Sequence, residues 1–174
     1  SQDAVLPQSK YLRIDNCSTN KVGVITLRDD DSWLNFRNGP STGYDMVLID
    51  PHNPQSYVKQ VQGSLVTVVM PHNTGDRENP IWAQIQISYR NRTMEGYSSQ
   101  RYIHIDGIRH LAVGERFTVT ADTNDTGLYW TSSDPQVASI DPATGMMTAH
   151  SSGLVLVTVV SDTGLEDSCL IMID

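Results

Sequence analysis

Residues 128–153, LYWTSSDPQVASIDPATGMMTAHSSG, decide how this chain folds. Trp130 is followed by Thr131-Ser132-Ser133-Asp134-Pro135, then Val137-Ala138-Ser139-Ile140-Asp141, then two glycine-marked turns. Asp134-Pro135 sets a turn, because proline fixes φ and the Asp side chain bonds nearby backbone N–H groups. Val137 and Ile140 flank small residues, which suits a short strand packed close to its neighbours. Pro142-Ala143-Thr144-Gly145 is a second turn, with Gly145 free to take positive φ. Gly153 opens the apolar run 154–160. The pattern is one of short strands joined by tight turns.

Working outward, the same pattern fills the last 75 or so residues. A strand is expected at 102–105, and Val113-Gly114-Glu115 turns into the alternating Phe117, Val119 and Ala121. Further strands are expected at 128–131, 137–140, 146–149, 154–160 and 168–173, about seven in all with turn signals at sandwich spacing. The turn at 113–115, the segment 130–134, Val137-Ala138, Asp141 with Gly145, Thr148-Ala149 and Gly153 together resemble the bacterial immunoglobulin-like domain, group 2. That resemblance implies a small β-sandwich with Trp130 packed between its sheets. It also implies an architectural role, spacing, stiffening or presenting a partner-binding module, and it carries over no catalytic residue.

The first half is also read as β. Gly, Pro, Asn and Asp punctuate runs rich in Val, Ile, Thr and Tyr, and no apolar stripe of helical period appears. Strands are expected at 11–14, 22–27, 33–36, 44–49, 57–61, 64–70 and 81–89. In the last, Ile81, Ala83, Ile85, Ile87 and Tyr89 point one way, and Trp82, Gln84, Gln86, Ser88 and Arg90 the other. Polar residues 91–100 (NRTMEGYSSQ) break the pattern as a hairpin loop or a linker, so the chain divides near residue 98. The expected fold is all-β, two consecutive immunoglobulin-like β-sandwich domains, residues 1–97 and 98–174.

In the first domain Trp33-Leu34-Asn35-Phe36 precedes a Gly39-Pro40-Ser41-Thr42-Gly43 turn. The Val/Thr run 65–70 leads through Asn73 to Arg77 and the Ile-rich strand 81–88. This order resembles the BACON domain (Bacteroidetes-associated carbohydrate-binding often N-terminal), from which Glu78-Asn79-Pro80 is a departure. The resemblance implies glycan or mucin association. Sugar binding needs exposed aromatic faces beside planar polar groups, and the candidates are Trp82 with Gln84 and Gln86, plus Tyr44 and Tyr57. The alternative reading places Trp82 on the opposite face of a sandwich or against the second domain.

Composition bounds the remaining choices. The 174 residues are 39% apolar and 18% charged, which excludes disorder by composition. A net charge of −8 and a pI of about 4.9 argue against nucleic acid or an anionic membrane as partner. No run approaches the roughly 20 apolar residues that span a bilayer. The polar Ser1-Gln2-Asp3 start, without Met, reads as a form whose signal segment has been removed.

Cys17 and Cys169 make neither a disulfide framework nor a metal motif. The division near residue 98 separates them, so no bridge is expected, and Cys169 alternates with Ile171 and Ile173 as a core residue. Residues 122–133 begin like a calcium loop, but Thr126 and Ser133 stand at its fifth and twelfth positions, and a turn held by Asx bonds is expected instead. Asp29-Asp30-Asp31 reads as a solvated hairpin tip. The five histidines lack metal-site spacing, and no phosphate loop, nucleophile elbow or dinucleotide fingerprint is present.

No enzyme, cofactor or metal is therefore expected. The leading expectation is a non-enzymatic surface or secreted module for adhesion or presentation, with a glycan or protein ligand. Carbohydrate binding through the first domain and a phage structural or decoration protein are the alternatives.

Overall fold

Among the described residues, the short apolar runs fold into sixteen strands. The first eight are β1 (Leu12–Ile14), β2 (Val22–Ile25), β3 (Leu34–Asn35), β4 (Lys59–Gln60), β5 (Leu65–Asn73), β6 (Ile81–Tyr89), β7 (Arg92–Ser99) and β8 (Ile103–Ile105). The rest are β9 (Arg109–Leu111), β10 (Arg116–Thr118), β11 (Ala121–Thr123), β12 (Tyr129–Ser132), β13 (Ala138–Ile140), β14 (Met146–Ala149), β15 (Gly153–Val160) and β16 (Glu166–Ile173). The structure is a computed structural model that describes residues 8–28 and 31–174. The chain's first three residues and the first two positions of the expected 29–31 hairpin tip lie outside the described residues. No helix among the described residues is long and apolar enough to cross a membrane.

The second unit is the sandwich expected around Trp130. One sheet has the order β10-β14-β13 and the other β12-β15-β16-β9, with β9 parallel to β16. Their facing residues form one core, including Val119, Trp130, Met147, Val155, Val157, Val159, Cys169, Ile171 and Ile173. Gly145 sits at φ +77°, and a Cβ there would lie 2.5 Å from the Val119 carbonyl oxygen and 3.1 Å from the Trp130 ring. The turn thus needs glycine both for its backbone and for its approach to the indole.

The first unit is a five-stranded antiparallel sheet, β7-β6-β5-β2-β8, with the small β3-β4 sheet beside it. Phe36 and Val58, from segments flanking that small sheet, share a core with Val66, Val68, Ala83, Ile85 and Met94. Gly96 lets Phe36 in: a Cβ on it would come within 2.4 Å of the Phe36 ring.

Against the sequence reading, β9 forms where no strand is expected, and the alternating segment 117–121 divides between β10 and β11. Two elements of the first unit also differ. Residues 91–100, expected as loop or linker, are mostly strand. Arg90 and Asn91 both have positive φ, 47° and 62°, and make a two-residue turn from which β7 pairs with β6 along its whole length. Met94, Gly96 and Ser98 then alternate inward with period 2 although the segment's composition is polar. Residues 44–49, expected as a strand, make only isolated bridges, Arg37↔Met46 and Leu48↔Tyr57.

Strand pairing also crosses the expected division at 97/98. β1 pairs with β11 and its Ile14 enters the second unit's core, whereas β8 pairs with β2 in the first unit's sheet. Hydrogen bonding therefore groups residues 22–105 as one unit, and β1 with 109–174 as the other. A three-residue strand fixes which of its faces is apolar but not which sheet it joins.

The two units are packed on one another. Leu154 and Leu170 point away from the sandwich core and are fully buried in the hydrophobic cluster of the first unit, with Leu156 and Met172 partly buried beside them. β15 and β16 are thus apolar on both faces, as strands covered on both sides must be. Asn73, at the end of β5, seals the contact. Its side-chain carbonyl accepts from the Leu154 N–H at 2.9 Å, and its amide donates to the Leu154 carbonyl at 2.9 Å and to Asp134 at 3.2 Å. Burial of two leucines, each about 1.5–3 kcal/mol, makes this a stable junction rather than a flexible linker.

Candidate functional site

Trp33, just before β3, is the feature around which the site is built. Its indole is 39% exposed, unusual for the largest side chain, and its Nε1–H donates to Asn35 Oδ1 at 3.1 Å. That bond fixes the ring's orientation. Lys59, on the paired strand β4, holds its ammonium 4.5 Å from the Trp33 ring centroid and 5.2 Å from that of Tyr57. The cation lies close enough to both π faces to order them.

Two depressions meet at this ring. One, about 190 Å3, is lined by Asp31, Trp33, Asn35, Arg37, Asn79 and Trp82, with Tyr102 at its border. The other, about 360 Å3, is lined by Asp31, Ser32, Trp33, Asn35, Met46 and Tyr57. Asp31, Trp33 and Asn35 belong to both, so Trp33 stands between them. The Arg37 guanidinium donates to the Tyr44 carbonyl at 2.9 Å, which anchors the 37–46 loop. Asn79 accepts from the Ser99 hydroxyl at 2.6 Å. Arg28 and Arg101 each lie within 6 Å of the ring of Tyr102, itself a lining residue, while Arg37 and Asp31 bring opposite charges to the first depression.

The residues singled out from sequence are dispersed around this site. Trp82 is only 3% exposed, so it forms part of the first depression's floor and offers no open face for stacking. Its strand position pairs with His72 on β5 and Ser99 on β7. Gln84 donates to Glu95 at 2.8 Å, and Gln86, exposed, pairs in register with Glu95. Those two glutamines lie along the β6–β7 ladder and line neither depression. Tyr57 lines the second depression, whereas Tyr44, 49% exposed, packs over Gly39. Trp33 enters the sequence reading as the start of a strand and as part of the BACON-like order, not as a sugar-binding candidate. The signal that finds it is position: a Trp beside turn residues at the edge of a two-residue strand has no sheet to bury it.

Buried polar atoms without partners gather in the first unit. They are the Trp82 Nε1–H, His72 Nε2, Gln60 Oε1 and Gln100 Oε1. Burial without a partner costs such groups about 1–3 kcal/mol each. In the second unit the polar groups are spent on turns. Asp125, in the calcium-like segment, accepts first from Thr163, then from Ser161 and the Thr126 N–H, and this holds its carboxyl well below the usual range. It clamps one loop to another, where the sequence reading expects a turn held by local Asx bonds. No three metal-ligating side chains converge among the described residues.

With this geometry in hand, the chain can be compared with known proteins. Residues 111–170 match the family model of the bacterial Ig-like domain (group 2), which bears out the resemblance read around Trp130. None of the curated proteins matches the chain. Among solved structures, the chain is similar to the C-terminal 282-residue fragment of intimin, in a complex with the intimin-binding domain of the translocated intimin receptor (Tir). The sequence identity is 14% and the TM-score 0.34, with 94% of this chain and 64% of that fragment covered.

Proposed function

We propose that the chain is a non-catalytic module of a bacterial surface protein, in which the second unit is a rigid backing and the first unit carries the contact surface. The observation that supports this reading is the outer face of the β15–β16 sheet. A group 2 Ig-like sandwich that only spaced its neighbours would leave that face to solvent. Here Leu154 and Leu170 are buried under the first unit, and Asn73 ties the two together. A surface held on such a backing loses little conformational entropy when it meets a partner. On this reading the module works outside the cytoplasm.

A carbohydrate is the ligand class that the Trp33 site favours. A half-exposed indole between two polar-lined depressions offers an apolar face for sugar C–H groups, with Asn35, Asn79, Arg37 and Asp31 in reach for hydroxyls. The test is a screen of the intact chain against soluble glycans and mucin with Trp33→Ala alongside. Saturable binding that Trp33→Ala weakens at least about tenfold, about 1.4 kcal/mol, is the expected result. Binding that Trp33→Ala leaves unchanged would move the contact surface elsewhere. No binding to any glycan would turn the search to protein ligands.

A further inference from the structure

The two cysteines, expected in separate domains, stand on segments that β1 brings together. Residues 15–17 continue from β1 along the second unit. The Asp15 N–H donates to the Thr120 carbonyl at 3.1 Å, and Asn16 donates to the Thr118 carbonyl and accepts from the Thr120 N–H. The same stretch is tied to β16 at two points. The Ile14 N–H donates to the Asp167 carboxylate at 2.8 Å, and Lys21 Nζ donates to the Ser168 carbonyl at 2.9 Å. Cys17 falls between these tethers. Cys169, the next residue along β16, is fully buried in the core against which Cys17 packs. Both are thiols in the structure. Cys17 is the outer one, lining a depression of about 500 Å3 with Asn16, Ser18, Arg109 and His110.

We propose that Cys17 and Cys169 are the two halves of a disulfide clasp, closed by exchange with an external disulfide such as oxidised glutathione. The Cys17 thiolate attacks one sulfur of the oxidant, and the other half leaves as a thiolate. Cys169 then gives up its proton and attacks Cys17 Sγ in the mixed disulfide, releasing the second half. One S–S bond breaks for each that forms, the two protons pass to the departing thiolates, and the two electrons reduce the oxidant. The environments match these roles. Contact with Cys169, chiefly, and the charge of Arg109 hold Cys17 below the ordinary thiol range in spite of partial burial. Contact with Cys17 and burial push Cys169 far up. The accessible sulfur is the better attacking thiolate. Once it enters the mixed disulfide its charge is gone, which removes one cause of the raised Cys169 and lets the buried thiol ionise and resolve the intermediate.

The clasp would enclose residues 18–168, which include the whole first unit. A pull applied between the segment before Cys17 and the segment after Cys169 would pass across the bridge, and the enclosed chain, roughly 50 nm when extended, would stay folded. This use under tension rests on the surface-module reading, whereas the bridge itself does not.

The test is oxidation of the intact chain with oxidised glutathione, followed by thiol titration, non-reducing peptide mapping and thermal unfolding. Both thiols are expected to be lost, the peptides carrying Cys17 and Cys169 to be linked, and Tm to rise by roughly 5–15 °C, reversibly on reduction. Cys17→Ser should remove the Tm rise. Cys169→Ala should leave the oxidant's half attached to Cys17. A glutathione adduct that persists on Cys17 in the unsubstituted chain, or two thiols that remain titratable, would overturn the proposal, whatever the glycan screen shows.

Discussion

Trp130→Ala is expected to lower the unfolding free energy by about 3–5 kcal/mol, the range for removing a fully packed aromatic side chain. Trp130 is 3% exposed and lies in the core between the two sheets of the second unit, with the Gly145 turn closed over its ring. The Gly145 turn, where even a Cβ would crowd the ring, is already closed against it. Urea denaturation followed by far-UV circular dichroism measures the loss. A change below about 1 kcal/mol would mean that the ring is not between the sheets.

Leu170→Ala is expected to cost about 2–5 kcal/mol, although its side chain points away from the sandwich core. The sandwich alone gives no reason for such a loss, since an outward-facing leucine on a solvated sheet changes stability by less than about 0.5 kcal/mol when trimmed. The whole effect comes from the first unit lying on that face, where Leu170 is 1% exposed. The same denaturation measurement, with Ser168→Ala at a half-buried polar position on the same strand for comparison, separates the two cases. A small effect at Leu170 would place the first unit off the sheet.

Much of the fold was legible because its strands obey local rules. Alternation along Ile81–Tyr89 identified the inward residues Ala83, Ile85 and Ile87, and the turns around Asp134-Pro135 and Gly145 placed the strands flanking them. The match over residues 111–170 spans the same turns. Polarity hid β7, because Arg92, Thr93 and Glu95 occupy its exposed positions and a glycine and a serine serve as inward residues. Pairing was illegible for a different reason. Leu12 and Ile14 announce an apolar face, yet only the assembled molecule decides that they join β11, and this choice is what brings Cys17 to Cys169.

The interface leaves a signal in the sequence. Residues 154–160 and 169–173 are apolar nearly without interruption, the pattern of strands covered on both faces, and assigning one face to the sandwich core left Leu154, Leu156, Leu170 and Met172 needing a partner. The candidate site was the least legible part. Sugar-binding chemistry pointed to aromatics, but exposure, which separates Trp33 from Trp82, depends on which side chains the small β3-β4 sheet leaves uncovered.

The Ig-like unit and the first unit form one body through Leu154, Leu170 and Asn73, so that the first unit's surface is rigidly presented. Differential scanning calorimetry of the intact chain, under reducing conditions so that no disulfide contributes, tests it most directly. One transition is expected, with calorimetric and van 't Hoff enthalpies equal at about 120 kcal/mol for a chain of this length. Two separate transitions, or a van 't Hoff enthalpy near half the calorimetric value, would show that the units unfold independently and would contradict the account.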